Sequence, residues 1–258
     1  MVHSFEHVIG SETLSIEGGK LAQQANGSVV LRYGDCVLLI TATMAKPREG
    51  IDFFPLTIDF EERLYARGKI PGNFFRREGR PSTEAVLADR LTDRPVRPLF
   101  PKGFRNEVQV IITPLSSDQE NPLDILGVIG ASAALSVSDI PFDGPLGTTR
   151  VGYVDGRFIV NPTFAELETS LLDLVVAGTR AGVLMMEAGA SELPEDVILE
   201  AIVLAQETNQ ISIGLQEESI RTFGKEKVGF EADSVPEGLD GRVASSIGGK
   251  LESIVGAG

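Results

Sequence analysis

Residues 124–138 read DILGVIGASAALSVS. After Asp124 the run carries no charge, and it is apolar on every side. A helix that is apolar all round has to be covered all round. The spacing therefore predicts a buried helix, with Gly127, Gly130 and the alanines letting neighbouring backbones come close. Whatever else the chain forms must enclose this segment.

The flanking text supplies mostly strands. TLSIEGG (13–19) alternates and ends on Gly-Gly, and SVVLRYGDCVLLITATMA (28–45) reads as two strands turning at Gly34-Asp35. FPLTIDF (54–60) is a further strand, and 61–80 has no period and three glycines, the signature of a long loop. Ser82 can cap a helix that Pro95 should stop. EVQVIIT (107–113) returns to strand. TRVGYVDGRFIVNPT (149–163) is a hairpin at Asp155-Gly156, LDLVVAGTRAGVLMMEAG (172–189) a second one, and 194–219 a long helix. The order βββ, loop, α, β, α, ββ, ββ, α predicts one α+β domain, a mainly antiparallel sheet with helices packed on it. We place it at residues 1–228. Residues 229–258 turn Gly-rich and acidic, and read as a linker and the start of a helical module.

One cysteine, Cys36, excludes an internal disulfide framework, and no apolar run reaches membrane-spanning length. The N-terminus lacks the basic and apolar regions of a signal peptide. A cytoplasmic location, or an organellar stroma, is expected, with no membrane partner.

The formal net charge is −14, yet residues 67–105 hold ten Lys/Arg against four Asp/Glu and so carry +6. Nonspecific nucleic-acid binding is disfavoured by the first figure, while one focused anion site is favoured by the second. The centre of that segment is GNFFRREGRPS (72–82). Phe74, Phe75, Arg76, Arg77 and Arg80 read in two ways: core rings with solvated arginines, or a single-strand clamp. In the clamp, bases stack on rings and guanidinium forks meet phosphate. Arg90 and Arg94 follow on the predicted helix, and Arg97 just beyond it. Asp89 and Asp93 could hold them in ion pairs, or an anion could bridge them. His3 and His7 lie on a strand, without metal-site spacing, and nothing near Cys36 in sequence activates it. No P-loop, nucleophile elbow, HExxH or kinase signature is present.

The stretch from DFFPLTIDFEERLYARGKIPGNFFRREGRPS to PVRPLFPKGFRNEVQV, continued in GASAALSVSDIPFDGPLGTTRVGYVDGRFIVNPT and LDLVVAGT, resembles the polynucleotide phosphorylase family across residues 1–228. The resemblance implies a ribonuclease PH-like (ribosomal S5 domain 2-like) core. It also implies a parent with a second such core in the same polypeptide, a helical domain between them, and a homotrimer around a channel. With Mg²⁺ and inorganic phosphate such enzymes shorten single-stranded RNA from the 3′ end to nucleoside diphosphates, reversibly. The FFRR loop would grip RNA in the channel.

In that family the second core carries the chemistry, through a serine-rich phosphate loop and a D-x5-D-x-K cluster. At the matching places this chain has Pro122, Leu123 and Asp124, and then Leu167, Asp173 and Val175. Two of the three cluster groups are lost, so no catalytic residue is expected here, and Mg²⁺ and phosphate should bind mainly outside this chain. Asp173 reads equally well as a structural strand residue. Two functions follow: the RNA-gripping, trimer-forming half of a phosphorolytic exoribonuclease, or a self-contained non-catalytic RNA-binding or scaffold module.

Overall fold

The computed structural model describes residues 2–63, 68, 70, 72, 74, 81–230 and 238–256. Strands β1 (His3–Ile9), β2 (Glu12–Gly18), β3 (Gly27–Tyr33) and β4 (Cys36–Ala45) form a meander. β5 (Leu56–Phe60) then leads through the 61–80 segment to α1 (Thr83–Val96), which is followed by β6 (Glu107–Ser116). These six strands make one sheet in the order β1-β2-β3-β4-β6-β5. All its pairs are antiparallel except β5–β6. The exception follows from chain path: β5, α1 and β6 form a crossover unit, and a crossover returns the chain in the same direction.

The second sheet comes after α2 (Asp124–Val137). Strands β7 (Gly147–Val154), β8 (Arg157–Val160), β9 (Leu172–Gly178) and β10 (Val183–Ala190) pair in the order β10-β9-β7-β8, with the short helix α3 (Phe164–Thr169) before β9. Helix α4 (Glu195–Phe223) packs on β7 and β9 and also on β1 and β2. The expectation of a single sheet is thus corrected to two. The hairpins at Gly34-Asp35 and Asp155-Gly156 are where the sequence predicts them.

Helix α2 lies between the sheets. Every residue from Ile125 to Val137 is buried, against β3, β4 and β6 on one side and β7, α1 and α4 on the others. Its closeness to the large sheet is set by glycine. A Cβ on Gly130 would stand 2.5 Å from Ile40 Cδ1, and one on Gly27 of β3 would stand 2.1 Å from the Ala134 carbonyl oxygen. A short polar layer fixes the other side. Ser132 donates to Gln216 Oε1 (2.7 Å), and Gln216 Nε2 donates to the Leu146 carbonyl (2.8 Å).

One helix end differs from expectation. Pro95 lies inside α1, which runs to Val96. So near the C-terminus a proline removes a single N–H, and the turn is closed by the Arg97 N–H bonding to the Asp93 carbonyl. Helix α5 (Leu239–Val255) has no buried residue.

Candidate functional site

Two places carry the residues singled out by the sequence. The first is the segment between β5 and α1. Its ends are both tied to α1: Ser82 Oγ accepts from the Ala85 N–H (3.1 Å), and Asp89 Oδ1 accepts from the Phe60 N–H (2.5 Å). Between them Phe74 is 95% exposed, so it is not a core ring. Phe75, Arg76, Arg77 and Arg80 lie outside the described residues.

The α1 arginines do different things. Arg90 is exposed and forms no ion pair with a described residue. Arg94 pairs with Glu187 of β10 and approaches the Met186 carbonyl. Arg97 is engaged on several sides. It bonds Asp93 through Nε (2.9 Å) and Nη2 (2.6 Å), donates to the Phe54 and Leu56 carbonyls (3.2 Å each), and sits over the Phe54 ring. The guanidinium therefore pins the end of α1 to the start of β5, at the opposite end of that strand from the long segment. Asp89 serves no arginine; its partner is backbone.

Burial pushes Asp89 up to about 6, offset in part by the Phe60 N–H and reinforced by the charge of Asp59. Its folded value thus lies above the unfolded one, so its contribution is fully present below pH 4 and is lost as pH rises through 6. Asp89→Asn keeps an acceptor for Phe60 and removes the charge. Discounted for solvent screening, it should stabilise the chain by about 1 kcal/mol at pH 7.5 and by nothing at pH 4. Urea unfolding at both pH values checks this; equal effects at the two would sink it.

The second place is the N-terminus of α2. Asp124 is the first residue of that helix, and Asp173 lies on β9. Both are held by Arg150 of β7, a residue to which no sequence motif points. Its Nη1 and Nη2 each donate to one Asp124 oxygen (3.0 Å each), and its Nε donates to Asp173 Oδ1 (2.9 Å). Arg150 is 9% exposed. Burial works against its charge, but Asp124 and then Asp173 outweigh burial, and its pKa moves up. A signal does exist in the sequence: the strand GTTRVGYV is uncharged apart from this arginine, and a lone charge inside a strand needs partners.

Main-chain bonds steady the arginine. Its N–H donates to Asn161 Oδ1 (3.1 Å), and the Asn161 N–H returns a bond to the Arg150 carbonyl (2.8 Å). Val175 is buried in the core, and Leu167 lies on α3 without being buried. Neither joins Asp124 and Asp173. Cys36 is fully buried, and burial pushes its thiol up to about 11, so it is no nucleophile at neutral pH. Among the described residues no group of three or more His, Cys, Asp or Glu could hold a metal.

The family model for the 3′ exoribonuclease family, domain 1, matches residues 11–141, and that for domain 2 matches 144–208. The chain belongs to the 3′ exoribonuclease family. The join between its two models falls between α2 and β7, where the first sheet gives way to the second. The chain is 54% identical over 250 residues to a polyribonucleotide nucleotidyltransferase of Dehalococcoides mccartyi, covering 96% of this chain and 35% of that protein. It is 53% identical over 252 residues to the enzyme so named from Heliobacterium modesticaldum, covering 97% and 36%. It thus spans about a third of the length of these relatives. Rice (Oryza sativa) Rrp46 shares the exoribonuclease-family fold at 15% identity, with a TM-score of 0.60 over 83% of this chain and 95% of that one.

Proposed function

We propose that this chain is the first core of a polyribonucleotide nucleotidyltransferase, a phosphate-dependent 3′-to-5′ exoribonuclease. In this reading it contributes RNA binding and assembly, and the chemistry sits in the remaining length of the polypeptide. The identity of more than half to proteins of that name supports the parent activity. The closure of Asp124 and Asp173 on one buried guanidinium is the single observation that supports the division of labour. The parent would act in the cytoplasm as a homotrimer, with single-stranded RNA and a second core of the same polypeptide as partners.

Mg²⁺ and inorganic phosphate would be the parent's cofactor and co-substrate. The donors in this core do not fit the metal, because both carboxylates that could approach it already share Arg150. Phosphate fits no better, since the α2 N-terminus presents Asp124 to it.

The RNA grip we assign to Phe74, Phe75, Arg76, Arg77 and Arg80, with Arg90 as the α1 cation open to a phosphate. Arg94 and Arg97 spend their donors on protein. In the parent enzyme, Arg76→Ala with Arg77→Ala should weaken binding of poly(A) and flatten its salt dependence, by about 0.7 in log–log slope for each phosphate no longer neutralised. Phe74→Ala should cost about 1–3 kcal/mol of binding and leave the slope unchanged, because stacking releases no counterions. Unaltered slope and affinity in the double arginine variant would remove the clamp and favour the scaffold reading.

A further inference from the structure

Arg150 joins groups whose charges do not cancel. Asp124 and Asp173 come from α2 and β9 and meet on one monovalent cation, which leaves the trio at −1. An ion pair serving stability alone needs one carboxylate. The second adds a negative charge that the single guanidinium cannot neutralise. Asp173 is also not sealed in. Its side chain is 51% exposed, against 11% for Arg150, and only its Oδ1 takes a hydrogen bond from the described residues. The trio is therefore a carboxylate pair, open on one side, around a fixed cation. Two carboxylates from different elements converging on one point is the donor set that hard divalent cations use, completed by waters.

We infer that the Arg150 guanidinium stands where a divalent metal would otherwise bind, so that this core is closed to Mg²⁺ by a cation of its own chain. The geometry makes the exclusion strong. Arg150 meets Asp124 with a two-point fork, and the fork is planar, permanently charged and less strongly hydrated than a metal ion. A metal would have to displace three charge-assisted hydrogen bonds and leave the guanidinium buried beside it. The two bonds to Asn161 hold the arginine's backbone in place while Asp173 remains reachable by solvent. The Mg²⁺ proposed for the parent enzyme and this core's donor set disagree, and Arg150 is the reason. The inference rests on the proposed function only for its meaning in the parent enzyme; the site itself can be tested without RNA.

The test is Mn²⁺ binding to the purified chain, read by electron paramagnetic resonance and by the thermal midpoint. Wild type should bind no Mn²⁺ at this position, and its midpoint should not move with about 1 mM Mn²⁺, a concentration that serves weak carboxylate sites. Arg150→Ala should bind one Mn²⁺ per chain, and its midpoint should rise on adding the metal. Adding Asp173→Asn to Arg150→Ala should abolish both effects. If Arg150→Ala does not fold in metal-free buffer, recovery of its near-ultraviolet circular dichroism on adding Mn²⁺ is the equivalent result.

A folded Arg150→Ala chain that ignores Mn²⁺ would overturn the inference. So would an unfolded one that Mn²⁺ fails to restore, a wild type that binds Mn²⁺ in a manner abolished by Asp173→Asn, or Mn²⁺ binding by the Arg150→Ala/Asp173→Asn double variant. An unchanged salt slope in the loop variants, with Mn²⁺ binding as described here, would remove the RNA clamp and leave this inference standing.

Discussion

Incubated with poly(A), Mg²⁺ and inorganic phosphate, the purified chain should release nucleoside diphosphate at least about 10⁴-fold more slowly than its parent enzyme, a combined loss of acid–base and electrostatic assistance. Phosphorolysis needs a held phosphate nucleophile, a charge to neutralise the scissile group, and a proton for the leaving ribose oxygen. Here Asp124 puts a carboxylate at the N-terminus of α2, and both its oxygens are held by Arg150. Asp173 shares the same guanidinium. Val175 is 3% exposed and has no proton to give. Positioning an RNA strand without these groups leaves most of the barrier in place. Release near the parental rate, lost in Asp173→Asn, would show that this core is catalytic.

The second large effect concerns the seam between α2 and the large sheet. Gly27→Ala should destabilise the chain by about 3 kcal/mol, at the upper end for overpacking, because what the new methyl meets is backbone. Its Cβ would lie 2.1 Å from the Ala134 carbonyl oxygen and 2.7 Å from Ser138 Cβ. Neither side can step back. Gly27 is paired to Ala42 in the sheet, and α2 is enclosed along its length. Gly156→Ala is the control. It has open space around it and φ of +75°, so it should lose only the roughly 1–2 kcal/mol of a left-handed backbone. Urea unfolding of the two variants decides; a Gly27→Ala loss no greater than that of Gly156→Ala would show that α2 can shift.

Much of this frame is legible in the sequence because its signals are local. Gly34-Asp35 and Asp155-Gly156 announce their turns within four residues, and α2 announces its burial by lacking any polar face. What escapes is non-local. β4 pairs with β6 across about seventy residues, Ala42 opposite Val110, and no local pattern encodes that partnership. The split of the strands into two sheets is hidden for the same reason. At the candidate sites, the Arg97–Asp93 pair is readable from its four-residue spacing, but the other contacts of the α1 arginines are not. Arg94 finds Glu187, and Arg97 also finds the Phe54 and Leu56 carbonyls, both remote in sequence. Arg150 is hidden for the same reason, because Asp124 and Asp173, which give it meaning, lie more than twenty residues away on either side.

Helix α4 closes over strands made nearly two hundred residues earlier. It lies on β1 and β2, Phe223 fills the space left open by Gly18, and Lys225 just beyond it bonds the Asn26 carbonyl (2.7 Å). During synthesis at about 5–20 residues per second, roughly 10–40 s separate the appearance of β1 from that of its cover. For that interval the nascent meander presents apolar side chains and the bare β1 edge to whatever is near the ribosome. The first strands therefore stay uncovered on that face until Lys225 has emerged.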